Sequence, residues 1–353
     1  MRCTVFFFVV FLSAPLFAQD DVEVTAYPQK KSNSDSIRAH YIQRYPDHFF
    51  IWPVIKQRSL HFDIENLNSH EKLNFKPNNS ITLGMGAYLF DIGAELTFAV
   101  PKSAAENQKY GTTKSTDLQL NILSKKFGLD MYYQKYTGYY EDDASLKLLP
   151  NQAYPQRSDI ITRNYGISGT YIFDSKRFSF RSAYNFAERQ LNSHGSFLLV
   201  GTLNAFKLSA DSSVLNKAQR LIYGERSSFK DLQYTTFSIA PGYTYSFIFN
   251  NFFINGTLAL GPAHNWIYYR QDNNTDKNDI SINLYTTVRI ALGYNSDHFF
   301  AGVNFVTQAR SIKFEDIRFT NSSNTFRLLV GYRFREFGIL KKSVLDLKDA
   351  MFK

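Results

Sequence analysis

The chain has 353 residues, a formal net charge of +9, 16% aromatic residues and a single cysteine, Cys3. After the first eighteen residues no stretch approaches the roughly 20 apolar residues that a membrane-spanning helix needs, which argues against helical membrane spans. The lysines and arginines are spread along the chain and do not cluster. This spread argues against a nucleic-acid-binding surface, and we expect no nucleic-acid partner.

The N-terminus has the features of a secretory signal peptide. Arg2 gives a short basic start, residues 5–12 are apolar, and small residues lie near Ala18. We predict that residues 1–18 are removed, which leaves a mature chain without cysteine and therefore without a disulfide or a thiolate metal site. Residues 19–48 follow as a polar N-terminal segment, predicted to be flexible or partly helical on the periplasmic side.

The clearest strand pattern lies in residues 233–270. Large apolar residues occupy the odd positions of 237–249, and small or polar residues stand between them. After the turn at Asn250 and Asn251 the alternation resumes on even positions. Because side chains alternate faces along a strand, each arm has one apolar face and one small, polar face. Such a hairpin is typical of the wall of a transmembrane β-barrel.

The same alternation recurs along most of the chain. It occurs in residues 49–64, 80–88, 92–100, 117–124, 127–136, 161–173, 178–186, 282–294, 299–310 and 326–334. Tight turns alternate with long polar loops, which is the asymmetry of an outer-membrane barrel with its short turns on the periplasmic side. We therefore predict an all-β, antiparallel, up-and-down transmembrane β-barrel over residues 49–335.

The number of strands is about 12, possibly 14. The segments above give twelve, but residues 196–208 also look like a strand. If they span the membrane, they need a partner within 210–231, and the number becomes fourteen. We favour twelve, with residues 188–230 as a large external excursion.

Residues 336–353 form a tail after the last predicted strand. Leu340, Val344, Leu347 and Met351 fall at helical spacing, which predicts a short C-terminal amphipathic helix over residues 339–352. A frayed terminus is the alternative.

Charged residues within the predicted strands indicate which face points to lipid. Alternation alone also fits a soluble barrel or sandwich. A twelve-strand barrel, however, is too wide for its side chains to fill, and an arginine facing lipid costs roughly 2–4 kcal/mol at the midplane. The predicted lumen-facing residues are Glu95, Asp130, Arg181, Arg289, Arg327 and Arg333. They indicate either a pore with a transverse field or structural ion pairs inside the barrel.

Three short patterns suggest chemistry only weakly. His194 and Ser196 could form part of a hydrolase site with a third orienting group, but two residues apart on a strand is a loose match to that arrangement. Residues 272–276 resemble the start of a calcium loop, although Lys277 stands where glycine is wanted. The acidic run 141–143 could bind divalent ions, and a solvated loop is the simpler interpretation. We expect no enzymatic activity, no metal and no cofactor.

Three blocks of sequence carry a family resemblance. They are residues 84–96, the run SFRSAYNFAERQLNSHGSFLLVGTL from Ser179, and the run GYTYSFIFNNFFINGTLALGP from Gly242. They resemble the domain of unknown function catalogued as 4421, a family of bacteria of the Bacteroidetes type. The resemblance implies an uncharacterised outer-membrane or secreted barrel and supplies no catalytic residues.

Two functions stand out at this point. The first is an outer-membrane channel for small polar solutes through a charged lumen, which the small residues of the inner face favour. The alternative is a structural or surface-binding barrel without transport, and a barrel enzyme is the third possibility. The expected partners are outer-membrane lipid, lipopolysaccharide and the barrel-assembly machinery during insertion.

Overall fold

An antiparallel β-sheet closes on itself in the computed structural model, which describes residues 33–89, 92–143, 152–224 and 228–335. The predicted signal peptide, residues 19–32 of the N-terminal segment and the predicted C-terminal helix lie outside these residues. No helix in the described parts is long and apolar enough to span a membrane.

The elements follow one another around the barrel. In chain order they are α1 (Asn33–Tyr41), β1 (Ile42–Arg44), β2 (His48–Asn66), β3 (Lys72–Lys76), β4 (Thr82–Leu89), β5 (Ile92–Ala99), α2 (Ala104–Tyr110), β6 (Lys114–Leu123), β7 (Phe127–Asp143), β8 (Gln156–Ile172), α3 (Phe180–Tyr184), β9 (Glu188–Gln190), β10 (His194–Ser209), α4 (Lys217–Tyr223), β11 (Phe229–Phe249), β12 (Phe252–Gln271), β13 (Asp276–Asn295), β14 (Phe299–Phe314) and β15 (Ile317–Arg335).

Ten of the thirteen strands in the main sheet form a closed ring. The order is β15, β14, β13, β12, β11, β10, β8, β7, β3 and β2, and pairing of β15 with β2 completes it. The short strand β3 bridges β2 and β7 near the end of the barrel that carries the long loops. At the tight-turn end β4 and β5 extend from β2, and β6 extends from β7. No ladder joins β5 to β6, both of which are fully described, so a seam remains between them.

The predicted alternation is confirmed along most of the wall. On β11 and β12 the large apolar residues point outward, as Phe247 and Ile254 do with exposed fractions of 64% and 59%. The small residues Thr236, Thr244 and Ala259 point inward and are fully buried. The outer wall is therefore an apolar belt.

For β2 the outward orientation expected of the main apolar face is wrong. Five apolar residues on one face of this strand point into the barrel and are buried: Trp52, Val54, Leu60, Phe62 and Ile64. They face inward because the lumen is packed at both ends with other parts of the chain, which gives large apolar side chains an interior partner.

Two predicted segments exchange roles. Residues 178–186 are not a strand, because they contain α3 and lie inside the barrel. Residues 194–209 are a wall strand, β10, paired with β8 and β11 along its length. The main sheet thus has thirteen strands, or twelve without the short strand β3, and ten of the thirteen close the ring. The predicted external excursion over residues 188–230 is wrong, because these residues contain the wall strand β10.

Residues 271–279 and 311–323, which lie between the predicted strands and were expected to form long polar loops, are mostly strand. β12 and β13 are joined by four residues, and β14 and β15 by only Glu315 and Asp316, with Glu315 at a φ of 48°. Beyond the apolar belt both faces of the β12–β13 hairpin are polar, so the alternation disappears from the sequence although the backbone ladder continues. In the β14–β15 hairpin the outward face is polar, while Ile312, Phe314, Ile317 and Phe319 point inward and are buried.

Candidate functional site in the barrel lumen

The structure places five of the six predicted lumen charges on inward-facing strand positions. Glu95 lies on β5, Asp130 on β7, Arg289 on β13, and Arg327 and Arg333 on β15. The sixth, Arg181, lies on α3 inside the barrel and is buried, where it donates to the hydroxyl of Tyr88.

One ion pair crosses the lumen. Arg289 donates to Asp130, and their strands lie five steps apart around the ten-strand ring. Asn121 on β6 also donates to this carboxylate, with an Nδ2–Oδ1 distance of 2.6 Å. Each ion therefore has a partner, as a charge taken out of water requires.

A second cluster lies behind the seam. Glu95 accepts hydrogen bonds from Arg327, at 2.8 Å between Nε and Oε1, and from the indole Nε1 of Trp52, at 2.7 Å. Lys56 on β2 forms a further ion pair with the same carboxylate. Edge strand β5 is thus tied to β2 and β15 by its inward-facing charge.

A packed segment closes the tight-turn end of the lumen. We call residues 178–190 the inner plug. All five residues of α3 are buried, and the hydroxyl of Tyr184 donates to Asn255 on β12 at 2.8 Å. The ring of Phe186 stacks on Phe300 with centroids 4.9 Å apart. Because aromatic rings fill the bore at this level, the plug forms a core with the inner wall.

Arg333 fixes the inner plug to the barrel. Its guanidinium is fully buried and donates to the carbonyl of Phe186 at 2.6 Å and to Asn295 Oδ1 at 2.7 Å. It also lies 4.2 Å from the ring centroid of Tyr45 and 4.8 Å from that of Phe300. Carbonyl oxygens and aromatic faces thus surround this cation.

The N-terminal elements cover the inner plug. β1 pairs with β9, and Arg38 on α1 donates to Glu188 at 2.8 Å. At the β13–β14 turn, Asp297 accepts from Arg189 at 2.9 Å and from Gln43 at 3.0 Å. Burial works to raise the pKa of Asp297, but the charge of Arg189 and these hydrogen bonds outweigh it and hold the pKa below its ordinary value of 3.8.

A second segment closes the long-loop end. We call residues 210–224 the outer cap, which contains α4. Val214 and Leu215 are fully buried against Phe206, Phe229 and other inward-facing aromatic residues. Asn216 and Gln219 form a capping box that fixes the start of α4. Both ends of the lumen are thus filled by segments that the sequence analysis placed elsewhere, as a wall strand and as an external excursion.

Between the plug and the cap the lumen is polar. Arg310 is fully buried, donates to the hydroxyl of Tyr132 at 2.7 Å, and has no partner among the described residues for its Nε and Nη1 atoms. Both side-chain polar atoms of Asn321 and the hydroxyl groups of Tyr234 and Tyr285 also lack a hydrogen-bond partner among the described residues. Buried polar groups of this kind ordinarily bind water or a ligand.

A family model described as a domain of unknown function, DUF4421, matches residues 33–334. The chain belongs to the DUF4421 family. No curated protein matches it.

Solved structures resemble this DUF4421 chain only weakly. Ail, the attachment invasion locus protein of Yersinia pestis in complex with the heparin analogue sucrose octasulfate, is 13% identical, with a TM-score of 0.23 over 59% of this chain and 97% of Ail. OmpT, an outer membrane protein of Vibrio cholerae, is 8% identical, with a TM-score of 0.22 over 81% and 98% of the two chains. The toluene transporter TodX of Pseudomonas putida is 9% identical, with a TM-score of 0.17 over 83% and 91%.

The weak catalytic pattern of the DUF4421 chain does not form a nucleophile and base. His194 is paired with Asp174, at 3.0 Å between Nε2 and Oδ2. The hydroxyl of Ser196 donates instead to the carbonyl of Phe197 at 2.7 Å. A serine nucleophile needs its hydroxyl aimed at the base, and here it is aimed at the backbone.

The acidic patterns are engaged in ion pairs or hydrogen bonds. Asp272 pairs with Arg220, and Asp276 pairs with Arg270. In the other run, Glu141 accepts from Gln219 at 2.9 Å. Among the described residues no group of three or more metal-binding side chains converges.

Proposed function

We propose that this chain is an outer-membrane β-barrel whose lumen is sealed in the resting state, and that it acts as a structural or surface-binding barrel. The apolar outer belt supports the location. Leu96, Phe197 and Ile282 point outward with exposed fractions of 66%, 70% and 71%. Exposure of so much apolar surface to water is unfavourable, whereas contact with lipid acyl chains is not.

The observation that carries the proposal is that the inner plug fills the bore. Free diffusion of solutes needs a continuous path, and the plug packs Phe186 against Phe300 and against Phe253, with centroids 4.9 and 5.8 Å apart. The buried guanidinium of Arg333 fastens the plug from the wall. A solute would therefore have to displace a packed core.

The outer cap supports a role at the surface. α4 covers the long-loop end and presents Leu221, which is 83% exposed, and Ile222, which is 46% exposed. Large apolar residues at an exposed helix are typical of contact surfaces.

Conductance in a planar lipid bilayer tests the proposal. The wild-type mature chain should give no current steps. A matched variant should conduct, in which short Gly/Ser turns replace residues 178–192, which include the inner plug, and residues 210–224, the outer cap. The replacements are feasible because Ile172 and Leu198 on β8 and β10, and Ser209 and Asp231 on β10 and β11, are already cross-strand neighbours. Steady steps from the wild type would overturn the proposal.

A gated channel for small polar solutes is the second candidate. The unpartnered polar atoms of Arg310, Asn321 and Tyr285 favour it, since this middle section would hold water once the plug withdraws. A wild-type barrel that is silent at low voltage and opens reversibly at high voltage or on addition of a partner would favour this candidate.

A further inference from the structure

Three cations form one row on the outer wall near the long-loop end. Lys135 on β7 and Lys207 on β10 are the direct cross-strand neighbours of Arg163 on β8. On either side the row continues with the neutral residues Thr116 on β6 and Gln233 on β11. No acidic side chain therefore interrupts it.

The row lies at the upper boundary of the apolar belt. From Arg163 the outward positions of β8 run through Tyr165, Ile167 and Tyr171 to Phe173 near the tight-turn end. The ten residue steps from Arg163 to Phe173 span about 25 Å along the barrel axis, at roughly 3.3 Å per residue and a tilt of roughly 40°. That height equals the apolar band of an outer-membrane barrel, so the cations reach the level of the lipid headgroups.

These cations differ from Arg157 and Arg318 at the same end of the barrel. Arg157 is paired with Asp159 at 2.8 Å, and Arg318 is paired with Glu65 at 2.7 Å. Within the described parts of the chain, no carboxylate pairs with any member of the row. Like charges directly opposite each other destabilise a sheet, so an external anion would stabilise this one.

The wall below the row provides room for acyl chains. Gly169 and Gly201 face each other on β8 and β10, and a side-chain carbon at either would meet open space. Leu203 and Ile167 lie directly above them, so the glycines form a dent in an apolar surface.

We propose that Lys135, Arg163 and Lys207 bind the phosphate groups of a phosphorylated glycolipid of the outer leaflet, whose acyl chains lie along the wall below. Charge complementarity, the height of the row and the dent support this occupant. The proposal rests on the outer-membrane location and is independent of whether the lumen conducts.

Binding of diphosphoryl lipid A to the full-length mature chain in neutral detergent, followed by native mass spectrometry, tests the proposal. The combined variant Lys135→Gln, Arg163→Gln, Lys207→Gln should bind at least about tenfold more weakly, because each headgroup-level cation contributes to attraction of anionic lipid. The control variant Lys125→Gln, Lys126→Gln, Lys176→Gln removes the same charge at the opposite rim and should bind as the wild type does. Heat-modifiable migration on gels verifies that each variant is folded. If the triple variant does not fold, the single variant Lys207→Gln replaces it in the binding measurement.

The lipid series identifies the headgroup. Dephosphorylated lipid A should bind weakly to all variants, and phosphatidylglycerol should bind less tightly than diphosphoryl lipid A. Equal binding of lipid A to the wild type and the row variant would overturn the proposal, as would equal loss in the rim control.

Discussion

Arg289 on β13 reaches Asp130 on β7 from the opposite side of the ten-strand ring, so one ion pair spans the full width of the lumen. The exposed fractions of the two side chains are only 14% and 9%. Such a pair holds opposite walls at a fixed distance, and it stabilises the fold only while both partners are present.

We expect Asp130→Asn to destabilise the barrel by about 3–5 kcal/mol, because it leaves Arg289 as an uncompensated buried charge. Urea unfolding in liposomes measures this change. Asp142→Asn removes the partner of Lys76 in a pair that is 44% and 32% exposed, and it should cost at most about 1 kcal/mol. Equal losses for the two variants would contradict a cross-lumen role for Arg289.

Substitutions of wall glycines test how tightly the inner plug is packed. A side-chain carbon at Gly302 on β14 would lie 2.6 Å from the ring of Phe186, so Gly302→Val should displace the plug and destabilise the protein by about 1–3 kcal/mol. Gly256→Val adds the same atoms on β12, where a side-chain carbon meets open space. Thermal unfolding compares the two, and a Gly302→Val barrel as stable as Gly256→Val would show that the plug is loosely held.

Period-two alternation was enough to predict the wall of β4 to β8 and β11 to β15, because large apolar residues outside and small residues inside separate cleanly on those strands. It failed for residues 178–186, where Phe178, Phe180 and Phe186 alternate with polar residues although the segment is folded inside the lumen. A short segment packed in a cavity and a strand between lipid and lumen give the same pattern.

The inner face of β2 was misassigned for a related reason. Trp52 and Phe62 are as apolar as any lipid-facing residue, and only the plug and the cap give them an interior partner. The charges Glu95, Asp130 and Arg289 could be located from the sequence, but their pairing across the ring depends on strand order and barrel diameter. Neither quantity is encoded locally.

The seam between β5 and β6 predicts a pattern of cross-links. The predicted mature chain has no cysteine, so pairs can be introduced freely. Met85→Cys with Leu96→Cys joins direct neighbours on β4 and β5 and should form a disulfide on mild oxidation. Leu96→Cys with Leu120→Cys spans the seam and should remain reduced. A disulfide in the second pair would mean that β5 and β6 close the wall at the tight-turn end.

Docking of the N-terminal elements should depend on pH through Asp297. The pKa of Asp297 is held below 3.8 in the folded protein. The stabilisation that the ionised carboxylate gives to docking is therefore complete above about pH 4 and is lost as the pH falls through the folded-state pKa. Hydrogen exchange of residues 42–45, measured from pH 6 to pH 3, should show loss of protection at the acidic end. In the Asp297→Asn variant, protection of residues 42–45 should be weaker at every pH and should vary little with pH. If the variant loses protection at acidic pH as the wild type does, a group other than Asp297 causes the loss.

Pairing of β2 with β15 joins the first wall strand to the last. The cylinder can therefore not be completed while the polypeptide is still emerging from its site of synthesis or export. Until β15 is available, the apolar outer faces of the earlier hairpins belong to an open sheet that cannot close. If the proposed outer-membrane location is correct, we expect the chain to stay unfolded until its last strand reaches the membrane.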